Sequence, residues 1–129
     1  MGKFVIRAVP SGIKFDLKAT NGEVISTSEV YTRLVNCKKG VQSVKTNAPA
    51  ANIEDQTAEE VVRQKCPKFE VYKDKAGEFR FRLKSVNGQI GASSGEGYTT
   101  KAACLNGVDS VKRNAPEAEV IDTRNTPAE

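Results

Sequence analysis

The sequence predicts an α+β fold: two tandem β3-α-β repeats, antiparallel-rich, with the helices packed on one face of their strands. Three observations lead there. The phrase GVQSVKTNAP (40–49) returns as GVDSVKRNAP (107–116). Around it the whole chain matches itself, KFVIRAVPSG with KFEVYKDKAG at an offset of 65, FDLKATNG with FRLKSVNG at 66, and Tyr31 with Tyr98 at 67. Within each copy the apolar spacing changes from two residues to about 3.6, the signature of strands followed by a helix. Two copies are too few for a solenoid, so a pseudo-twofold pair is expected.

Each element follows from local pattern. Phe4, Ile6 and Ala8, and later Phe69 and Val71, alternate with polar positions and predict first strands. Ile13, Phe15 and Leu17, and Phe79, Phe81 and Leu83, alternate strictly and predict second strands. Asn21-Gly22 and Asn87-Gly88 then predict tight type I′ hairpins, which need positive φ at both central residues. Third strands are expected at 23–28 and 89–94. Pairing across the turns would place Leu17, Ala19, Val24 and Ser26 on one face, and Leu83, Ser85, Ile90 and Ala92 on its counterpart.

Leu34, Cys37, Val41 and Val44 step by 3, 4 and 3, and Cys104, Leu105, Val108 and Val111 form the matching stripe. They predict amphipathic helices over 33–46 and 100–113. Thr32 or Arg33 and Thr99 or Thr100 stand at the starts, with the threonines fit to cap. Asn47-Ala48-Pro49 and Asn114-Ala115-Pro116 stop the helices. Short last strands are expected at 51–54 and 119–121. Gly40 and Gly107 fall mid-helix, at a cost of about 1 kcal/mol against alanine, which a close approach of helix to sheet would offset. The other side of the sheet is expected to be wet.

The repeats occupy 1–55 and 68–122, with a linker at 56–67 and a loose tail at 123–129. The linker carries Thr57-Ala58-Glu59-Glu60, a capping-box pattern, so a short helical turn or a tether is expected there. One structural unit, a monomer with an internal pseudo-dimer, follows from halves of about 60 residues that would be marginal alone.

The 129 residues contain no histidine, three cysteines without a CxxC pair, and no apolar run of the ~20 residues that span a bilayer. The first is against most acid–base and metal chemistry. The odd thiol count fits a reducing compartment, and the start reads as no signal peptide, so a cytoplasmic location with no membrane partner is expected. Net charge is +4, carried as +3 by residues 1–55 and +1 by residues 68–122, with no concentrated block.

The segments KFEVYKDKAGEFRFRLKSVNG and SVKRNAPEAEVID resemble the YegP-like family, bacterial proteins built from one or two such repeats. The resemblance covers nearly the whole chain apart from the linker and tail. It implies the shared sheet with exchanged last strands, and a dimer in single-repeat members. The family has no established activity, so no catalytic, cofactor-binding or metal-binding residue is implied.

The residues themselves offer few sites. Arg80, Arg82 and Lys84 alternate with Phe79, Phe81 and Leu83 and could form a basic sheet face for phosphates. The first copy has Lys14, Asp16 and Lys18 there, and Tyr72 is the sole nearby ring, so a solvated strand is the simpler account. GASSGEGYTT (91–100) precedes a helix start but is no Walker or dinucleotide motif. Cys37 and Cys104 lie on apolar stripes as small core residues, while Cys66 sits in the linker beside Lys65. Glu29 and Glu96 near the helix starts, and Lys45 and Lys112 near the ends, suit the helix dipoles. Tyr31 and Tyr98 are expected to pack at the helix entrances with wet hydroxyls. The leading expectation is a small non-enzymatic binding or protein-interaction module needing no cofactor. A macromolecular partner is favoured, because a sheet with one covered face implies no deep pocket. The alternative is anion or nucleic-acid binding by Arg80, Arg82 and Lys84.

Overall fold

In the computed structural model, which describes residues 2–124, the chain forms one eight-stranded mixed sheet and two helices. The first repeat supplies β1 (Lys3–Val9), β2 (Gly12–Lys18), β3 (Val24–Thr27), α1 (Leu34–Asn47), a 3₁₀ turn (Ala48–Ala50) and β4 (Asn52–Asp55). The second supplies β5 (Lys68–Lys73), β6 (Phe79–Lys84), β7 (Ile90–Ser93), α2 (Lys101–Asn114) and β8 (Glu119–Asp122). The strand order is β4-β5-β6-β7-β3-β2-β1-β8. The last strands are exchanged: β4 pairs parallel with β5, and β8 pairs parallel with β1. At the centre β3 meets β7 through Thr27 and Ser93.

One core serves both halves. Phe4, Ile6, Phe15 and Leu17 from one half, and Phe69, Val71, Phe81 and Leu83 from the other, join Cys37, Val41, Val44, Cys104, Val108 and Val111 of the helices. The helices also reach across the seam: α1 lies over β2 and touches β7, and α2 lies over β6 and touches β3. The aromatic packing is written twice. Phe4 meets Phe15 edge-on at 5.7 Å and Phe69 meets Phe81 at 5.9 Å, while Tyr31 and Tyr98 each stack on their phenylalanine at 6.3 Å.

The repeated ten-residue phrase now has a physical meaning. Lys45 Nζ donates to the Ala118 carbonyl at 3.0 Å and Lys112 Nζ to the Ala51 carbonyl at 2.9 Å, so each lysine ties its helix end to the residue that leads into the last strand of the opposite repeat. The dipole account given by sequence misses this. Asn47 and Asn114 close their helices by donating to the Ser43 and Ser110 carbonyls at 2.7 and 2.8 Å. Gly40 and Gly107 make room for tyrosine as well as for the sheet: a Cβ on either would collide with the ring and hydroxyl of Tyr31 or Tyr98 and come within 3.1 Å of Phe15 on β2 or Phe81 on β6.

Four local expectations need correction. The Asn-Gly turns are not type I′. Among the described residues only glycines take positive φ, Gly22 at 86° and Gly88 at 82°. The Ala19 N–H bonds the Glu23 carbonyl at 2.9 Å and the Gly22 N–H returns to the Ala19 carbonyl at 2.8 Å, which lengthens the connection to three residues. That slip pairs Lys18 with Val24, and a bulge restores register at Leu17–Ser26. Val24 and Ile90 therefore face solvent, at 41% and 43% exposure, instead of sharing a face with Leu17 and Leu83. The bulge residues themselves are Ile25, buried in the core, and Gly91.

The remaining corrections concern capping, the linker and the tail. Thr100 caps α2 by accepting the Ala103 N–H at 3.1 Å, but its counterpart Arg33 gives α1 no side-chain cap. The linker forms no helix, because Thr57 turns back on Asp55, whose Oδ1 accepts the Thr57 N–H at 2.8 Å. At the tail, Thr123 is anchored, its N–H and hydroxyl both donating to the Ile6 carbonyl at 2.9 and 2.7 Å. Residues 125–129 lie outside the described residues.

One buried polar atom among the described residues has no partner, Ser26 Oγ. The second repeat carries Ala92 at that place. Ser26→Ala removes an unsatisfied hydroxyl and should raise stability by about 1 kcal/mol in urea denaturation. Unchanged or lower stability would show that the hydroxyl is satisfied.

Candidate functional site

Arg80, Arg82 and Lys84 stand on the sheet face away from the helices, as their alternation requires, but each is engaged. Arg80 Nε holds Asp74 Oδ2 at 2.6 Å. Arg82 Nε holds Glu70 Oε1 at 2.6 Å, with its guanidinium 4.7 Å over the Tyr72 ring. Lys84 Nζ lies 3.3 Å from Glu70 Oε2. The strand that reads as a bare basic ladder is matched by carboxylates from β5 and the following turn.

That face is not uniformly wet. Glu54 on β4, Lys68 and Glu70 on β5 are 1%, 8% and 2% exposed. Lys68 Nζ sits between the two carboxylates, 2.8 Å from Glu54 and 3.3 Å from Glu70. The linker folds over them, the Gln64 N–H donating to Glu54 Oε1 at 2.8 Å and Gln56 Nε2 to Oε2 at 2.8 Å. The Lys68 bond, then those of Gln56 and Gln64, pull the Glu54 carboxyl down from 4.5 to about 2. Burial would raise Glu70, but the bonds from Arg82 and Lys68 outweigh it and its value falls.

A depressed carboxyl stabilises the fold wherever it is ionised in both states. The Glu54 contribution is thus complete above about pH 4.5 and is lost as pH falls toward about 2. Thermal melts of the native chain should lose stability over that window, and Glu54→Gln, already destabilised at neutral pH, should lose less between pH 5 and 2.5. Parallel slopes for the two would refute the assignment.

The corresponding face of the first repeat differs. Asp16 accepts from Arg7 Nε and Thr27 Oγ1, both at 2.7 Å. Lys3 and Lys18 are cross-strand neighbours, as are Arg7 and Lys14. Among the described residues no carboxylate lies within ion-pair distance of Lys3, Lys14 or Lys18.

Cys37 and Cys104 are fully buried, and burial pushes the Cys104 thiol up to about 11, far from a reactive thiolate. Cys66 is half-buried in the linker. Burial raises the hydroxyls of Tyr31 and Tyr98 as well. The glycine-rich loop delivers Tyr98 to Phe79 by two 2.8 Å backbone bonds, and Gly97 fits against the Glu78 side chain.

Sequence reasoning missed a groove of about 340 Å³ on the helix side, between α1 and the 85–91 hairpin. Asn36, Lys39, Gly40 and Ser43 form one wall, Glu29 and Tyr31 the end, and Ser85, Gln89, Ile90 and Gly91 the other wall. The hairpin wall is fixed by its own bonds, the Gln89 N–H donating to Asn87 Oδ1 at 3.1 Å and the Ser85 hydroxyl donating to Asn87 Oδ1. Among the described residues the side chains of Glu29, Tyr31, Asn36, Lys39 and Gln89 have no hydrogen-bond partner. The pseudo-twofold axis generates a twin place between α2 and the first hairpin, where the aligned residues are Glu96, Tyr98, Ala103, Asn106, Glu23 and, opposite Gly91, Ile25. The signal was in the alignment, as a glycine facing an isoleucine; its meaning needed the bulge.

A family model described as "Domain of unknown function (DUF1508)" matches residues 12–55 and 74–122. The chain belongs to the DUF1508 family. Within it, the chain is 36% identical over 121 residues to a UPF0339 protein of Pseudomonas aeruginosa, covering 93% of this chain and 96% of that one. A UPF0339 protein of Treponema denticola is 56% identical over 55 residues, which cover 43% of this chain but 93% of the relative, a length of one repeat. The solution structure of the E. coli protein of unknown function yegP superposes with a TM-score of 0.79 at 32% identity, covering 98% of this chain and 96% of that one. The UPF0339 protein of Shewanella oneidensis gives a TM-score of 0.78 at 31% identity, over 97% and 93%. The YegP-like resemblance and the tandem-repeat α+β fold both stand, and the DUF1508 relatives assign no activity to the fold.

Proposed function

We propose that the protein is a non-enzymatic binding module whose recognition site is the groove between α1 and the 85–91 hairpin. The observation that carries this reading is divergence inside a duplication. Core positions match pair by pair, yet at the groove Gly91 stands for Ile25, Lys39 for Asn106 and Asn36 for Ala103. Packing alone gives no reason to open one site and line it with polar groups that bond nothing else. A concave site with a few convergent polar groups is the usual form of a ligand site. This moves the preference from a macromolecular partner to a small one.

Gly91→Ile supplies the test, because it installs the other repeat's residue. The nearest atom to a Cβ at Gly91 is Val44 Cγ2 at 3.8 Å, ordinary contact distance, so a branch can start there without a clash and occupy space at the groove wall. In a thermal-shift screen of metabolites, compounds that raise the melting temperature of the native chain should leave Gly91→Ile unmoved. Ligands acting equally on both proteins, or none acting, would overturn the reading.

A second reading is favoured by Lys3, Lys14 and Lys18, and places anion or nucleic-acid binding on β1–β2 rather than on Arg80, Arg82 and Lys84. Labelled RNA and DNA should then bind with a steep salt dependence. Lys14→Ala/Lys18→Ala should weaken it and Arg80→Ala/Arg82→Ala should not. Absence of binding at low salt would end it.

A further inference from the structure

From the charges left open in the groove we infer that its ligand is a small zwitterion of the free amino-acid or dipeptide class, with its carboxylate on Lys39 and its ammonium group on Glu29. The inference rests on the groove being the recognition site and goes further by naming what fits. Lys39 and Glu29 are opposite charges lining one cavity, and among the described residues neither has an ion-pair partner, the other included. A ligand bearing one charge of each sign satisfies both. An anion would meet Glu29 unscreened, and a cation would meet Lys39. Nearby Lys84 does not tip the balance, because it is held by Glu70.

The remaining lining agrees. Tyr31 and Asn36 add donors and acceptors to the lining, as does Gln89 from the hairpin. Ile90 is the one aliphatic side chain in the lining. A volume of about 340 Å³ is at the small end of ligand sites and suits a compact molecule. The twin place supplies an internal comparison. It keeps the acid, as Glu96, but has Asn106 where Lys39 stands and adds Glu23 where Gln89 stands. A cleft beside it, between the first hairpin and the loop before α2, is lined by Glu23, Val24, Gly95 and Glu96, with two acids and no base. It lacks the cation a zwitterion requires.

The test is a ¹⁵N–¹H correlation titration of the full chain with L-amino acids and glycylglycine, and with N-acetyl and methyl-ester forms that each delete one ligand charge. Glucose and inorganic phosphate are the other probes. Zwitterions should shift residues 29–43 and 85–91, and each blocked form should bind about tenfold more weakly, the loss expected for one charge-assisted hydrogen bond. Lys39→Gln should match the effect of the methyl ester, and Glu29→Gln that of N-acetylation. Both lie at exposed positions, so folding is not at stake.

The outcomes separate the two claims. Glucose or phosphate shifting the groove while zwitterions do not would overturn the ligand class and leave the groove as the binding site. No probe shifting the groove at about 10 mM, above the roughly 1 mM of weak complexes, would overturn both. Zwitterion binding that survives Gly91→Ile would place the site elsewhere and also overturn both.

Discussion

Lys68→Met should destabilise the protein by about 3–5 kcal/mol, the usual cost of removing one member of a buried ion pair. The cause is what stays behind. Glu54 and Glu70 are 1% and 2% exposed, and the Lys68 ammonium lies within 3.3 Å of both. Without it Glu54 keeps only the bonds from Gln56 and Gln64, while Glu70 retains Arg82 and Lys84. Two adjacent buried carboxylates then face each other, and the easier response is for Glu54 to take up a proton. The variant should therefore regain stability as pH falls from 7 to about 5, a range over which the native Glu54 contribution stays constant. Denaturant midpoints across that range decide it. A loss under about 1 kcal/mol at neutral pH would mean that water reaches the cluster and the charges are screened. Glu54→Leu/Lys68→Met, which removes cation and carboxylate together, should recover part of the loss.

This cluster also marks where reading the sequence stops. Phe15 and Leu17, Phe81 and Leu83, and the stripes of Val41, Val44, Val108 and Val111 were legible because periodicity reports which side of an element is dry. The exchange of last strands was legible only through the resemblance. Glu54, Lys68 and Glu70 read as solvated because a charged residue on an alternating strand normally is. Their burial depends on where residues 56–64 lie, and nothing in the linker's composition encodes that path. The groove stayed hidden for a related reason. Gly91 looks like a flexible turn until the three-residue connection, by shifting register one place, makes it a bulge residue as it makes Ile25. Arg80, Arg82 and Lys84 show the converse: the face was predicted correctly, but the carboxylates that neutralise it come from Glu70 and Asp74, and cross-strand neighbours appear only with the register.

Cutting the chain between Glu60 and Val61 should leave no monomeric folded piece, the largest effect the architecture predicts. Residues 1–60 retain β1–β4 and α1, but β4 has lost β5, β1 has lost β8, and α1 has lost β7. The Phe4–Phe15–Tyr31 stack stays, yet half the shared core and the Lys45 bond to the Ala118 carbonyl are gone. A piece of about 60 residues buries too little surface to stand such losses. Both open seams have the same remedy. Because β4 pairs with β5 as β8 pairs with β1, the β4 of one piece can dock on the β1 of a second copy, re-creating the pseudo-twofold as a true twofold. Each fragment should run as a dimer or heavier species in light scattering, melting lower than the intact chain and in proportion to concentration. Mixing the two should return the native circular dichroism and the parent melting profile. Two pieces that stay monomeric and each melt cooperatively would show that the halves do not depend on one another, and the exchanged strands would then be a covering rather than a structural necessity.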